Sequence, residues 1–101
     1  MRVLVREPIN QPLQLKDIEG TIEDFQELVG ESIEIVPITD EIVCICNEKG
    51  ALQELGNNFY ADRLGWIVGT CVFASTKDTE FASLSDMQIG YIAEYIGYPV
   101  V

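Results

Sequence analysis

Ile42-Val43-Cys44-Ile45-Cys46 is apolar at every position. β-branched residues dominate it, and alternation along a strand sets Ile42, Cys44 and Cys46 on one face and Val43 and Ile45 on the other. A strand apolar on both faces is central in its sheet, with a helix or other partner over each side. Upstream, Ile33–Ile38 is a second β-branched run and predicts a neighbouring strand. Downstream, Asn47-Glu48-Lys49-Gly50 reads as a turn.

Working outward, residues 1–6 predict a strand, and Glu7–Pro12, with two prolines around Asn10, a turn. Leu13, Leu15 and Ile18 suggest a second strand, hairpin-paired with the first. Gly20-Thr21 opens a helix, and Thr21 with Asp24 three residues later approximates a capping box. Ile22, Phe25, Leu28 and Val29 share one face of that helix, Glu23, Asp24 and Glu27 the other, and Gly30 stops it. Ala51–Leu55 is compatible with a helical turn or a strand. Gly56–Gly65 reads as the longest irregular stretch, Trp66–Ser75 as one strand with Gly69 a bulge, and Thr76–Glu80 as a polar loop. Ser83–Asp86 caps a last helix expected to carry Leu84, Met87, Ile89, Ile92, Ala93 and Ile96 inward, with Gly97 as its stop. The apolar tail Tyr98–Val101 either packs back on the core or seals a subunit contact, so a homo-oligomer stays open. The expectation is one α+β domain over residues 1–101: a mostly antiparallel sheet of about five strands with two helices.

Seventeen acids stand against six bases, for a net charge of -11. Ten of those acids lie between Asp17 and Glu48, where there is no Lys or Arg. That field disfavours direct binding to nucleic acid or to anionic membranes. No apolar run approaches the roughly 20 residues of a membrane span, and residues 1–20 lack the apolar core of a secretory signal. Three cysteines and no histidine leave no zinc set, so no metal and no cofactor is expected. The thiols read as reduced, buried hydrophobes of a cytosolic protein. Catalysis is not expected: without His the commonest general base is missing, and no cysteine has an imidazole to form its thiolate.

Two surfaces remain as candidates. Glu23, Asp24, Glu27, Glu31 and Glu34 are spaced so that they can imitate the charge of duplex DNA, about one per 1.7 Å of axis, and occupy a basic site on a host protein. The plainer alternative is a solvated acidic surface that aids solubility. The second candidate joins Asn47 to the segment Asn57, Asn58, Tyr60, Asp62, Arg63 and Trp66. Planes to stack on beside directional polar groups are the pieces of a ligand pocket, and Arg63 suits a phosphate or carboxylate. The plainer alternative is that Arg63 pairs with Asp62 or Glu54 and the asparagines cap turns.

The order of the segments resembles a small uncharacterised domain family of phages, plasmids and other mobile elements of Firmicutes and related bacteria. The resemblance rests on Val3-Leu4-Val5-Arg6-Glu7-Pro8, Gly20-Thr21 with Leu28-Val29-Gly30, Ile33-Glu34 with Pro37, and Ile45-Cys46-Asn47-Glu48-Lys49-Gly50. Asn57-Asn58, Ile67-Val68-Gly69-Thr70 and Phe81 with Ser83-Leu84-Ser85-Asp86-Met87-Gln88 complete it. It covers nearly the whole chain and implies a phage or mobile-element setting in the cytoplasm of a host bacterium, with no established activity. The expectation is a non-enzymatic accessory protein that acts by binding, to blunt a host defence. Its partner is a small nucleotide-like signal or a host protein, with DNA mimicry as the alternative.

Overall fold

The computed structural model describes residues 1–101 apart from the side chain of Arg63. Its strands are Arg2–Arg6 (β1), Gln14–Asp17 (β2), Ile33–Pro37 (β3), Ile42–Asn47 (β4), Asn57–Ala61 (β5), Gly65–Val68 (β6), Cys71–Lys77 (β7) and Glu80–Ala82 (β8). Its helices are Ile22–Val29 (α1) and Asp86–Ile96 (α2). The main sheet runs β2-β1-β7-β4-β3, all antiparallel, and β8 pairs with β7 beyond the end of β1. This is the expected α+β fold, with six strands in the main sheet and a separate two-stranded sheet formed by β5 and β6.

β4 lies inside the sheet, as its two apolar faces require. On one side of the sheet Val3, Val5, Val43, Ile45, Val72 and Ala74 pack under Phe25 and Val29 of α1. On the other, Leu4, Cys44, Cys46, Cys71 and Phe73 meet Ile92 of α2 and Phe59, Ala61 and Ile67 of the β5–β6 hairpin. Burial pushes the Cys44 thiol well above its usual range. Burial and the nearby Glu34 carboxylate push Cys46 up to about 12. All three cysteines are free and buried.

Local chemistry sets the boundaries. Thr21 Oγ1 accepts from the Asp24 backbone N–H at 3.2 Å, and Asp24 Oδ2 accepts from the Gly20 and Thr21 N–H groups at 2.9 and 3.4 Å, closing the capping box. Gly30, at φ +125°, ends α1, and a methyl group there would come within 2.5 Å of the Asn47 side-chain nitrogen. β3 is an edge strand. Glu48 N–H donates to Ser32 O at 2.8 Å and Ile38 N–H to Ile42 O at 2.9 Å, which turns even-numbered residues toward β4 and odd-numbered ones outward. Pro37 therefore puts its missing N–H on the open edge.

Four expectations change. Gly56–Gly65 is not irregular: most of it is β5, a 3-10 turn over Asp62–Leu64 and the start of β6. Trp66–Ser75 is two strands in two sheets, divided at Gly69, whose φ is +87°. Thr76–Glu80 is not a loop but the closed end of the β7–β8 hairpin, with only Asp78 and Thr79, both at positive φ, between the strands. Met87 does not face the core; it is 87% exposed. The apolar tail packs back, with Leu13 N–H donating to Pro99 O at 2.9 Å and Val101 N–H to Leu13 O at 2.8 Å.

Candidate functional site: an acid-rimmed aromatic groove on the second helix

Of the seven residues proposed for a ligand pocket, the six whose side chains are described do not converge. Asn47 Oδ1 accepts from Lys49 N–H at 2.7 Å, and its amide donates to Gln53 Oε1 at 3.0 Å, so its side chain is spent on the turn. Asn58 is buried, and its amide donates to the carbonyls of Arg6 and Gly69, both at 2.8 Å. Asn57 is exposed at the start of β5, where its carbonyl accepts from Ile9 N–H at 3.0 Å. Tyr60 and Trp66 face each other across the hairpin, edge to face at 5.5 Å, and stay more than half exposed. Asp62 sits at the hairpin tip. The guanidinium of Arg63 lies outside the described residues. Among the described residues, Asn47 and Trp66 share a cleft of about 170 Å³, and Glu34 and Glu48 line it as well.

The five acids proposed as a DNA mimic also separate. Glu23 and Glu27 are exposed on α1, while Asp24 is committed to the helix cap. Glu34 pairs with Cys46 and therefore lies on the opposite face of the sheet from α1. Glu31 is exposed in the link between α1 and β3.

A buried cation was not anticipated. Arg6 is only 2% exposed. Its Nε donates to Gln11 O at 2.7 Å, and its Nη1 to Asn58 O at 2.7 Å and to Asn58 Oδ1 at 3.2 Å. The guanidinium also lies 4.3 Å from the centre of the Tyr98 ring. No carboxylate pairs with it among the described residues. The sequence signal was its register: Arg6 follows Leu4 on the core-facing side of β1. Arg6 ties β1, the following loop, β5 and the tail together.

A further unpartnered feature belongs to α2. Ser85 Oγ accepts from Gln88 N–H at 3.1 Å, Gln88 Oε1 accepts from Ser85 N–H at 2.8 Å, and the Gln88 amide donates to Ser75 Oγ at 2.9 Å. That cap fixes the rotation of the helix. Ile89, Ile92 and Ile96 turn inward, and Met87, Gly90, Tyr91 and Glu94 turn outward at 3.6-residue spacing. Three adjoining concavities run along this side, linked through Tyr91 and Tyr95. The first, about 440 Å³, lies between Met87 and the β3–β4 turn at Thr39, Glu41 and Ile42. The second, about 310 Å³, is formed by Tyr91, Glu94 and Tyr95. The third, about 460 Å³, reaches Ile38, Asp62 and Leu64 at the hairpin tip.

Ring contacts of 6.3 Å between Tyr91 and Tyr95 and 6.0 Å between Tyr95 and Phe59 tie this surface to the core. Burial, with the Asp62 charge second, raises the Tyr95 phenol above its ordinary value. Glu41, Asp62 and Glu94 rim the groove, and no base lines it among the described residues. Apolar anchors with a carboxylate rim accept apolar side chains flanked by cations, and repel phosphate.

No curated protein and no solved structure matches the chain. No helix is long and apolar enough to cross a membrane among the described residues. A family model described as a domain of unknown function, DUF3846, matches residues 1–97, and the chain belongs to that family.

Proposed function

We propose that this protein acts by docking on another protein and blocking it, through the groove along α2. The observation that carries this reading is the exposed set Met87, Tyr91, Tyr95 and Leu64, joined along the three adjoining concavities. Contiguous apolar surface on a small chain marks an interaction site. Aromatic and Met residues are the types enriched where proteins meet. The setting we infer is an accessory protein of a phage or mobile element of Firmicutes, directed against a host defence; the sequence resemblance supports it. Three reduced, buried thiols favour the bacterial cytoplasm. The absence of His from the chain favours a role without catalysis.

Capture of a small nucleotide-like molecule is a second reading, favoured by the exposed rings of Tyr60 and Trp66 as stacking plates. The carboxylates Glu34 and Glu48 beside Trp66 weigh against a phosphate there. DNA mimicry ranks third, because its five acids do not share a face.

A photo-crosslinking residue at Tyr91, compared with one at Lys16 on β2, tests the docking reading in bacterial cells. The expected result is a discrete crosslinked protein from position 91 and none from position 16. A thermal shift with cyclic or ADP-ribose-type nucleotides, abolished by Arg63→Ala, with no crosslink at position 91, would overturn it in favour of the second reading.

A further inference from the structure

We infer that the segment received by the groove is a basic amphipathic helix that crosses α2 at Gly90. The inference rests on the docking reading above and names the chemistry of the partner. Gly90 lies in the middle of α2, on its outward face, where glycine is the poorest helix former after proline. Its φ is not positive, and a Cβ added there meets no atom within 4 Å. Nothing inside this chain requires the missing side chain. A notch between Met87, Tyr91 and Glu94 does let a second backbone approach closely, as small residues do wherever helices cross at short distance.

Two further observations fix the occupant. The backbone groups of α2 are bonded within the helix, so the ridge offers no partners to an extended strand, whose own N–H and C=O groups would be buried unpaired. A helix arrives with those groups satisfied, and Met87 to Tyr95 spans about 12 Å, roughly two of its turns. The rim supplies the sign of the charge. Glu41, Asp62 and Glu94 border the anchors, so the partner carries Lys or Arg beside its apolar stripe. A second copy of this chain is a poor occupant: each copy carries a net charge of -11, and a two-fold contact would set the two Glu94 carboxylates into one interface.

The test uses an 18-residue helical peptide with leucines on one face and lysines on the other. Controls replace lysine by glutamate, or scramble the same residues so that the apolar face is lost. Amide shifts of the labelled full chain map the contact, and fluorescence anisotropy gives affinity. The lysine peptide is expected to bind and to shift Gly90, Tyr91 and Glu94, while both controls fail. Gly90→Leu is expected to weaken binding at least about tenfold without lowering Tm. Gly90→Ala is expected to raise Tm by about 4–8 °C while weakening binding. Glu94→Gln weakens it too, and Glu23→Gln with Glu27→Gln leaves it unchanged.

Shifts confined to α1, equal binding by the glutamate peptide, unchanged affinity of Gly90→Leu, or a dimer formed through this face would each overturn the inference. A crosslink at position 91 together with failure of the lysine peptide removes the basic helix and leaves the docking reading standing.

Discussion

Removing the Arg6 guanidinium tests how the fold is closed. In Arg6→Met, the aliphatic stem is kept and every hydrogen bond is lost. The carbonyls of Gln11 and Asn58 and the Asn58 Oδ1 then lose a charged donor. Each such bond is worth about 1.5–3 kcal/mol, and an acceptor left buried costs about 1–3 kcal/mol. The stacking on Tyr98, at 4.3 Å, adds about 0.5–2 kcal/mol. Against this stands the desolvation of the guanidinium, several kcal/mol, which the substitution relieves. The net expectation is a loss of about 3–5 kcal/mol, the range seen when one partner of a buried charge is removed. For a chain of 101 residues this lowers Tm by more than about 12 °C.

Urea unfolding followed by circular dichroism measures the loss. Asn58→Ala provides the second arm of a double-mutant cycle, in which the double variant loses less than the sum by about 0.5–3 kcal/mol. A cost for Arg6→Met below about 1 kcal/mol, or strict additivity, would refute the view that Arg6 and Asn58 act as one tie.

Phe73→Ala, at the fully buried centre of β7 under Phe59, is expected to cost about 3–5 kcal/mol in the same assay. By contrast, Trp66→Ala should cost under about 1 kcal/mol, because Trp66 is more than half exposed and its ring partner Tyr60 is exposed as well; a larger loss would mean that the outer hairpin face carries structure. The thiols should be silent toward a disulfide reagent in the native protein at pH 8 and react fully in urea. Because the folded Cys46 thiol is raised from 9.0 to about 12, its contribution to stability is fully present below pH 9 and is lost as pH rises through about 12, so the urea midpoint falls across that window.

Alternation and capping were legible before any coordinates. The doubly apolar Ile42–Cys46 run located the centre of the sheet, and Thr21 with Asp24 located the start of α1. The β5–β6 hairpin was not legible, because its pairing slips between Asn57 and Phe59, which puts Asn58 and Phe59 inside consecutively and breaks the two-residue period. The run Trp66–Ser75 reads as continuous because both strands are apolar; Gly69, at φ +87°, and Thr70 separate their sheets. Met87 is apolar like its neighbours, but at 100° per residue it lies well over 90° from Ile92 around the helix and faces away from the core. The groove was not legible for a different reason. Its residues are scattered over α2, the β3–β4 turn and the hairpin tip, and only packing brings them together. The acids were visible as a block, and the fold distributes them over both sides of the sheet.

The β5–β6 hairpin has its own ladder and joins the main sheet through side chains, chiefly Phe59, Ala61 and Ile67 below and the Arg6–Asn58 tie at its base. Its tip, Asp62–Leu64, meets the far end of the α2 groove without contributing a rung to the central sheet. Changes of length or composition at the tip therefore leave every rung of the central sheet in place. If the groove docks a partner as proposed, those three positions can alter what it accepts without disturbing the Arg6–Asn58 tie that holds the hairpin.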